Sequence, residues 1–377
     1  MRWIALASCV LAMGTGTTAR AQAPESGAFL TRLGRDTVGL ERYRRTARSL
    51  TGELVGRAPR TTLRRYAIQI GPGGQAGRLE VTTYRAGDTA VVQRDITTIT
   101  GDSAHVTRHR ANGDTAFVVA LPPGTIAVGP GYYAVFDEIT RRAHPTGRDS
   151  VVMMVYPAGA PAPTRYVITR IGADSVSVAS PNGAVHVRLD ARGRPWSLYA
   201  AETTQKVTVD RIPSADITAI AAAWGQGGQL SPRDTVRATI GGASLLVDYG
   251  RPFKRGRSLF GGDIVPWNQV WRTGANAATQ LAIDRDLVVG GTLVPAGKYS
   301  LWTLPGPRGW KLVINSETGQ WGTAYNVERD FARVPANTAA LPHVVEQFTI
   351  AIVPQGAGGA FQLEWDQLRV SIPFTVK

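Results

Sequence analysis

The run GDTAVVQRDITTITGDSAHVTRHRANGDTAFVVAL, residues 87–121, decides how the first half of the chain folds. A Gly-Asp-Thr or Gly-Asp-Ser turn recurs in it three times, and each is followed by β-branched and apolar residues. Glycine supplies a positive φ, aspartate bonds back to the local backbone, and the residues that follow restart a strand. The signature returns as GRDT (34–37), GRDS (147–150) and GADS (172–175). Alternation is plain in TLRRYAIQI (62–70) and AVHVRLD (184–190), so one face of each strand is buried and the other wet. Residues 28–210 therefore read as a long antiparallel meander. So many strands must curl to protect their edges, as a curled sheet, a half-barrel or a barrel. An outer-membrane barrel is disfavoured by arginines on both faces of LERYRRTARS (40–49) and by the lack of aromatic girdles.

Composition sets the wider frame. A chain of 377 residues suits two domains. Its start, Met1-Arg2 followed by WIALASCVLAMG and then Ala19-Arg20-Ala21, has the layout of a secretory signal cleaved after Ala21 or, by the overlapping AQA, after Ala23. LASC (6–9) also fits a lipoprotein box that would leave a lipidated Cys9, although the apolar run before it is short. Cys9 is the sole cysteine, so after the usual cleavage the chain has no disulfide, thiolate metal site or cysteine nucleophile. No later apolar run reaches the length of a membrane helix. The expected location is the periplasm or the cell surface. The formal charge of +14 falls by two, to +12, when Arg2 and Arg20 leave, which favours anionic partners. Thirty-seven of the 42 basic residues are arginine, a skew that a GC-rich genome also produces. No recognition helix or aromatic sheet motif points to nucleic acid.

PSADITAIAAAWGQGGQLSP (213–232) breaks the β pattern. Ser214 or Asp216 can cap a short helix through Trp224, and Gly225, Gly227 and Gly228 end it. The second half, 233–377, returns to about eight short strands, with a two-glycine hairpin turn at Gly290-Gly291. That number suits a β-sandwich. The division is a signal at 1–21, a β meander at 22–212, a helix and glycine-rich linker at 213–232, and a sandwich at 233–377, all-β throughout.

The run VDYGRPFKRGRSLFGGDIVPWNQVWRTGANAATQLAID, then VGGTLVPAGKYSLWTLPG, WKLVINSETGQWGTAY and LEWDQLRVSIPF, resembles the bacterial domain of unknown function family 2911 over about residues 230–376. The resemblance implies an exported bacterial envelope protein and no established activity. It does not extend to the N-terminal half.

Directional chemistry concentrates in the loops of this second half: Tyr249, Arg251, Lys254, Arg255, Arg257, Trp267, Trp271, Arg272, Thr273, Asn276, Asn315, Trp321 and Tyr325. Strand-end loops on a rigid sandwich are where binding sites are built. Arginine offers a planar fork to carboxylate, sulfate or phosphate, tryptophan a stacking face, and asparagine both a donor and an acceptor. Arg251, Arg257, Trp271, Arg272, Asn276 and Trp321 are the candidate ligand contacts, suited to an anionic glycan or envelope polymer. The same residues also fit a structural role, with Arg272 paired to Asp248 or Asp263, Trp267 and Trp271 anchoring the core, and Asn276 bonding turn backbone.

Catalytic signals are thinner. Ser258 in GRSLFGG lacks a nucleophile-elbow context, and His343 is the one histidine of this half. Asp284 with Asp286, and Glu364 with Asp366, stand two apart, the minimum for acid and base on one strand face. His105 and His109 lie about 13 Å apart on an extended strand at ~3.3 Å per residue, too far for one metal, and His144 and His186 are isolated. No catalytic residue, metal or cofactor is therefore assigned. The leading expectation is non-catalytic binding. The alternatives are a hydrolase of envelope polymers, or an assembly module whose N-terminal half holds a lipid or a protein partner.

Overall fold

The computed structural model describes residues 24–57, 61–72, 74–85, 90–144, 147–200, 202–203, 205–224 and 229–377. The export signal, Cys9, the turn at 87–89 and the linker glycines 225–228 lie outside the described residues. The chain is all-β, built on two large sheets.

The first sheet opens with a meander of eight strands: β1 (Glu25–Leu33), β2 (Asp36–Arg45), β3 (Ser49–Gly56), β4 (Thr62–Ile70), β5 (Ala76–Arg85), β6 (Val91–Thr100), β7 (Ser103–Arg110) and β8 (Thr115–Ala120). After a short β9 (Ile126–Val128) and helix α1 (Tyr132–Ala143), a second meander follows: β10 (Ser150–Pro157), β11 (Thr164–Arg170), β12 (Ser175–Ser180), β13 (Gly183–Leu189), β14 (Pro195–Tyr199) and β15 (Thr208–Ile212). β1 pairs with β15, Ala28 opposite Ile212, and this seam joins the two meanders into one fifteen-stranded sheet. Every pairing is antiparallel except β9 with β10. Of the three forms open to so long a meander, the closed barrel is not the one taken: β8 and β9 are the two edges of the sheet and do not pair.

The meander expected from 28 to 210 is interrupted by α1. YYAVFDEITRRA carries Tyr133, Phe136, Ile139, Thr140 and Ala143 at helical spacing, and all five are buried. Tyr133, Phe136, Ile139 and Ala143 pack with Phe29, Tyr43, Ile68, Tyr156 and Val187 of the sheet into the main core of the first half. The helix has no side-chain cap from its own segment; Gly131 precedes it at φ 90°. Its first amides are satisfied instead by Glu41 of β2, which accepts from Tyr133 N (2.9 Å) and Ala134 N (3.3 Å) and from the Tyr66 hydroxyl (2.9 Å). Burial pushes this carboxyl up to about 7, against the opposing pull of those donors.

Helix α2 (Ile217–Trp224) follows β15, and Asp216 rather than Ser214 caps it, accepting from Ala219 N at 3.0 Å. Ile217 and Ala221 pack on Leu40 and Val55, forming a small cluster separate from the main core.

The second sheet comprises β16 (Arg233–Ile240), β17 (Ala243–Gly250), β18 (Thr279–Ile283), β19 (Leu287–Val289), β20 (Thr292–Val294), β21 (Gly297–Leu304), β22 (Trp310–Asn315), β23 (Asp330–Gln355) and β24 (Gly358–Val376). β23 pairs with β22 through its first residues and with β24 through the rest, so one long strand belongs to two leaves. Leu245, Val247, Leu281, Leu301 and Leu312 from one leaf meet Phe348, Ile350, Phe361, Leu363 and Ile372 from the other in a shared core. Gly290 and Gly291, at φ 54° and 86°, make the hairpin between β19 and β20.

The two halves touch beside the β1–β2 turn. Arg35 N donates to Arg255 O at 3.1 Å, Arg255 pairs with Asp36, and the Tyr199 hydroxyl donates to Asp263. Gly34 (φ 61°) is required there, since a Cβ would stand 2.4 Å from Arg255 O.

Candidate functional site

The loop VWRTGANAAT (270–279) joins a stretch without regular structure to β18 and is fastened along its length. Trp271 exchanges two backbone hydrogen bonds with Thr303 of β21 (2.8 and 2.9 Å). Thr279 Oγ1 donates to Thr273 O at 2.7 Å, Gly322 N donates to Asn276 O at 3.0 Å, and Arg233 reaches Ala278 O at 3.2 Å. Within this frame Thr273 (φ 52°) and Asn276 (φ 62°) sit in the left-handed region, with Gly274 at φ 155° between them. Thr273 is the costly one, because a β-branched residue is a genuine outlier there. Strain of this kind persists only where the surroundings over-determine it, and it clusters at ligand-binding positions. Two glycines admit the loop: a Cβ on Gly250 would lie 2.1 Å from Ala275 O, and one on Gly322 would lie 2.0 Å from Arg272 Cδ.

The frame presents Arg272. The expected ion pair with Asp248 or Asp263 does not form, because both carboxylates are engaged elsewhere: Asp248 accepts from Arg233 Nε at 2.8 Å and Asp263 from Tyr199. The guanidinium makes no hydrogen bond or ion pair with any described residue, and its buried Nε has no acceptor. The stem of the side chain is packed against Gly322. Desolvation without a compensating anion pulls its pKa well below the usual guanidinium value, to about 10, so it stays charged at neutral pH.

Arg272 lines a crevice of about 50 Å³ at the junction of the two halves, together with Arg257, Trp271 and Asn276. The first half contributes Leu33, Gln205 and Lys206. Burial and the neighbouring Arg272 charge depress Lys206. Burial, then Arg255, depress Arg257, which donates to Lys254 O at 3.0 Å and to Phe253 O at 2.5 Å. The crevice thus gathers three cations.

Four of the six candidate contacts share this crevice and two lie outside it. Arg251 is committed to Asp234 (3.0 Å), Phe348 O (3.2 Å) and Thr349 Oγ1 (2.9 Å). Trp321 is half exposed beside Ala277. Trp271 shows only an edge to the crevice: 5% exposed, it stacks on Trp365 at 5.9 Å and meets Phe348 edge-on. Among the wider set, Lys254 pairs with Asp366, Tyr249 and Thr273 are buried, Trp267 stacks on Phe260, Asn315 donates to Asn326 O and Asp330, and the Tyr325 hydroxyl donates to Asp330.

The carboxylates weighed for catalysis are likewise engaged. Asp284 accepts from Ser244 N at 2.7 Å and Asp286 from Ala296 N at 2.8 Å, while Glu364 holds Arg369 at 2.6 Å. Among the described residues Ser258 and His343 do not bond to each other, and no cluster of three metal-ligating side chains occurs. His109 bonds Asp114 at 2.7 Å on the outer part of the first sheet.

Nothing local in the sequence marks Lys206 as a partner of the loop, since it stands 66 positions before Arg272 and comes to it only through tertiary structure. Its one distinction is rarity: it is the sole lysine before position 254. Its backbone also adopts φ 52°.

No curated protein matches the sequence. Solved structures that are similar in part include two proteins of unknown function. A DUF1089 family protein from Pseudomonas aeruginosa is 14% identical over 43% of this chain and 90% of its own, with a TM-score of 0.30. A β-barrel-like protein of the domain of unknown function DUF1849 from Brucella abortus is 10% identical over 51% of this chain and 95% of its own, with a TM-score of 0.35. No family match covers the N-terminal half. The second sheet, with the whole of the 270–279 loop, matches over residues 231–374 the family described as protein of unknown function (DUF2911).

Proposed function

We propose that this is an exported envelope protein of bacteria that binds an anionic ligand without transforming it, using Arg272 as the principal contact. One observation carries the reading: a desolvated guanidinium, held by a strained and heavily bonded loop, meets no anion of its own. Taking a charge out of water without a partner is expensive, so such a group is expected where an external partner completes it. The net charge of +14 and the signal-like start, WIALASCVLAMG before Ala19-Arg20-Ala21, support an exported protein that meets acidic partners. The partners held by Asp284, Asp286, Glu364 and Asp366 support the binding reading over a hydrolytic one built on those two pairs.

The test is a thermal-shift series with sodium acetate, phosphate and galacturonate at constant ionic strength, sodium chloride being the reference. At least one of these anions raises the Tm of the wild type, and none raises that of Arg272→Met. Equal shifts in both proteins would remove Arg272 from the site. A second reading, an amphipathic ligand in the N-terminal half, is favoured by a cavity of about 330 Å³ near the end of α1, where Val151, Ile168, Val176 and Leu189 stand beside Arg148, Arg170 and Asp174. Native mass spectrometry of the gently purified protein checks it by showing, or failing to show, a co-purifying lipid mass.

A further inference from the structure

We infer that the group entering the crevice is a singly charged carboxylate end group, gripped by Arg272 of the second half and Lys206 of the first, so that binding ties the two halves together; this rests on the anion-binding reading above. Size limits the occupant first. About 50 Å³ holds roughly three to five waters, enough for a carboxylate but not for a sugar ring, so the rest of the ligand stays outside. The walls then select its charge. Leu33, Ile264, Trp271 and Trp365 are apolar, and the cost of stripping water from an anion climbs steeply with its charge, which favours a monoanion over a phosphate dianion. The planar guanidinium fork suits the two oxygens of a carboxylate.

The bridging claim comes from where the cations originate. Arg272 is fixed by the loop before β18, whereas Lys206 belongs to the connection between β14 and β15, in the other sheet. Burial and then the Arg272 charge lower the proton affinity of Lys206, against the opposing pull of Asp263 and Glu202, and a ligand anion beside Arg272 offsets that repulsion. The left-handed backbone at Lys206 matches that of Thr273 and Asn276 across the crevice, so both sides hold sparsely populated conformations at one junction. Contacts between the halves at Arg35 to Arg255, Arg255 to Asp36 and Tyr199 to Asp263 flank this point.

The experiment uses the full chain with sodium acetate and inorganic phosphate as probes at equal ionic strength. Hydrogen-exchange mass spectrometry should show acetate slowing exchange several-fold in both 205–212 and 271–278. Acetate affinity should fall about ten-fold in Lys206→Gln and a hundred-fold or more in Arg272→Gln. Protection confined to 271–278, with affinity unchanged in Lys206→Gln, would overturn the bridge and leave anion binding standing. Tighter binding of phosphate than of acetate would overturn the carboxylate assignment alone. Binding of neither probe would overturn the inference, and a positive result with galacturonate in the thermal-shift series would show that anion binding itself survives.

Discussion

Replacing Arg272 by methionine is expected to stabilise the ligand-free protein. Methionine keeps an unbranched stem against Gly322 and removes the charge. A guanidinium whose proton affinity is lowered by burial to about 10, well under its usual value, is held in its charged form at a cost of about 3 kcal/mol, at ~1.4 kcal/mol per pH unit. Some of that gain is lost because methionine fills less of the space, so the net stabilisation should be about 1–3 kcal/mol. At roughly 2–4 °C per kcal/mol for chains of this order of size, Tm should rise by about 3 °C or more. Scanning calorimetry in Tris chloride, without carboxylate or phosphate, reads the change. A fall of more than about 3 °C would refute the reasoning, because it would mean that the guanidinium has partners within the folded chain and serves to hold the loop. This trade, in which a functional group is kept at the expense of stability, is what a binding role requires and a scaffold role forbids.

Three further outcomes follow from the same geometry. Gly322→Ala places a Cβ 2.0 Å from Arg272 Cδ and 2.3 Å from Asn276 O, and since a backbone oxygen cannot step aside, urea unfolding should show a loss of about 1–3 kcal/mol together with weakened acetate binding. Trp271→Ala should cost about 3–5 kcal/mol, as expected of a buried ring stacked on Trp365, whereas Trp321→Ala, half exposed, should change stability by only about 0.5 kcal/mol. Glu41, raised from 4.5 to about 7 by burial, binds a proton more tightly in the folded state than in the unfolded one. Its contribution is fully present below about pH 4.5 and is lost as pH climbs to 7, by about 3 kcal/mol. Glu41→Gln should therefore match the wild type near pH 5 and exceed it in Tm at pH 8; a variant less stable at both would contradict the assignment.

What the sequence announced and what it hid divide along local and tertiary lines. The turns at Gly34, Gly101 and Gly113, all at positive φ, and the hairpin at Gly290-Gly291 follow from signals a few residues long, as does the Asp216 cap of α2. Helix α1 was concealed because YYAVF is strand-like in composition and because its cap is Glu41, some 90 positions away. The loop 270–279 stood out by its chemistry, yet the fate of Arg272 depended on where Asp248 and Asp263 spend their charge, on Arg233 and Tyr199. Spacing along the chain does not carry that information, and it cannot place Lys206 beside a loop in the other sheet.

The most direct measurement of the central claim is a crystal structure of the protein grown with bromoacetate, read from the anomalous signal of bromine. A bromine peak at the mouth of the crevice, with the carboxylate bonded to the Arg272 guanidinium, is the predicted result. A structure in which a carboxylate of the chain itself, such as Asp263, swings onto Arg272 and fills the crevice would contradict it.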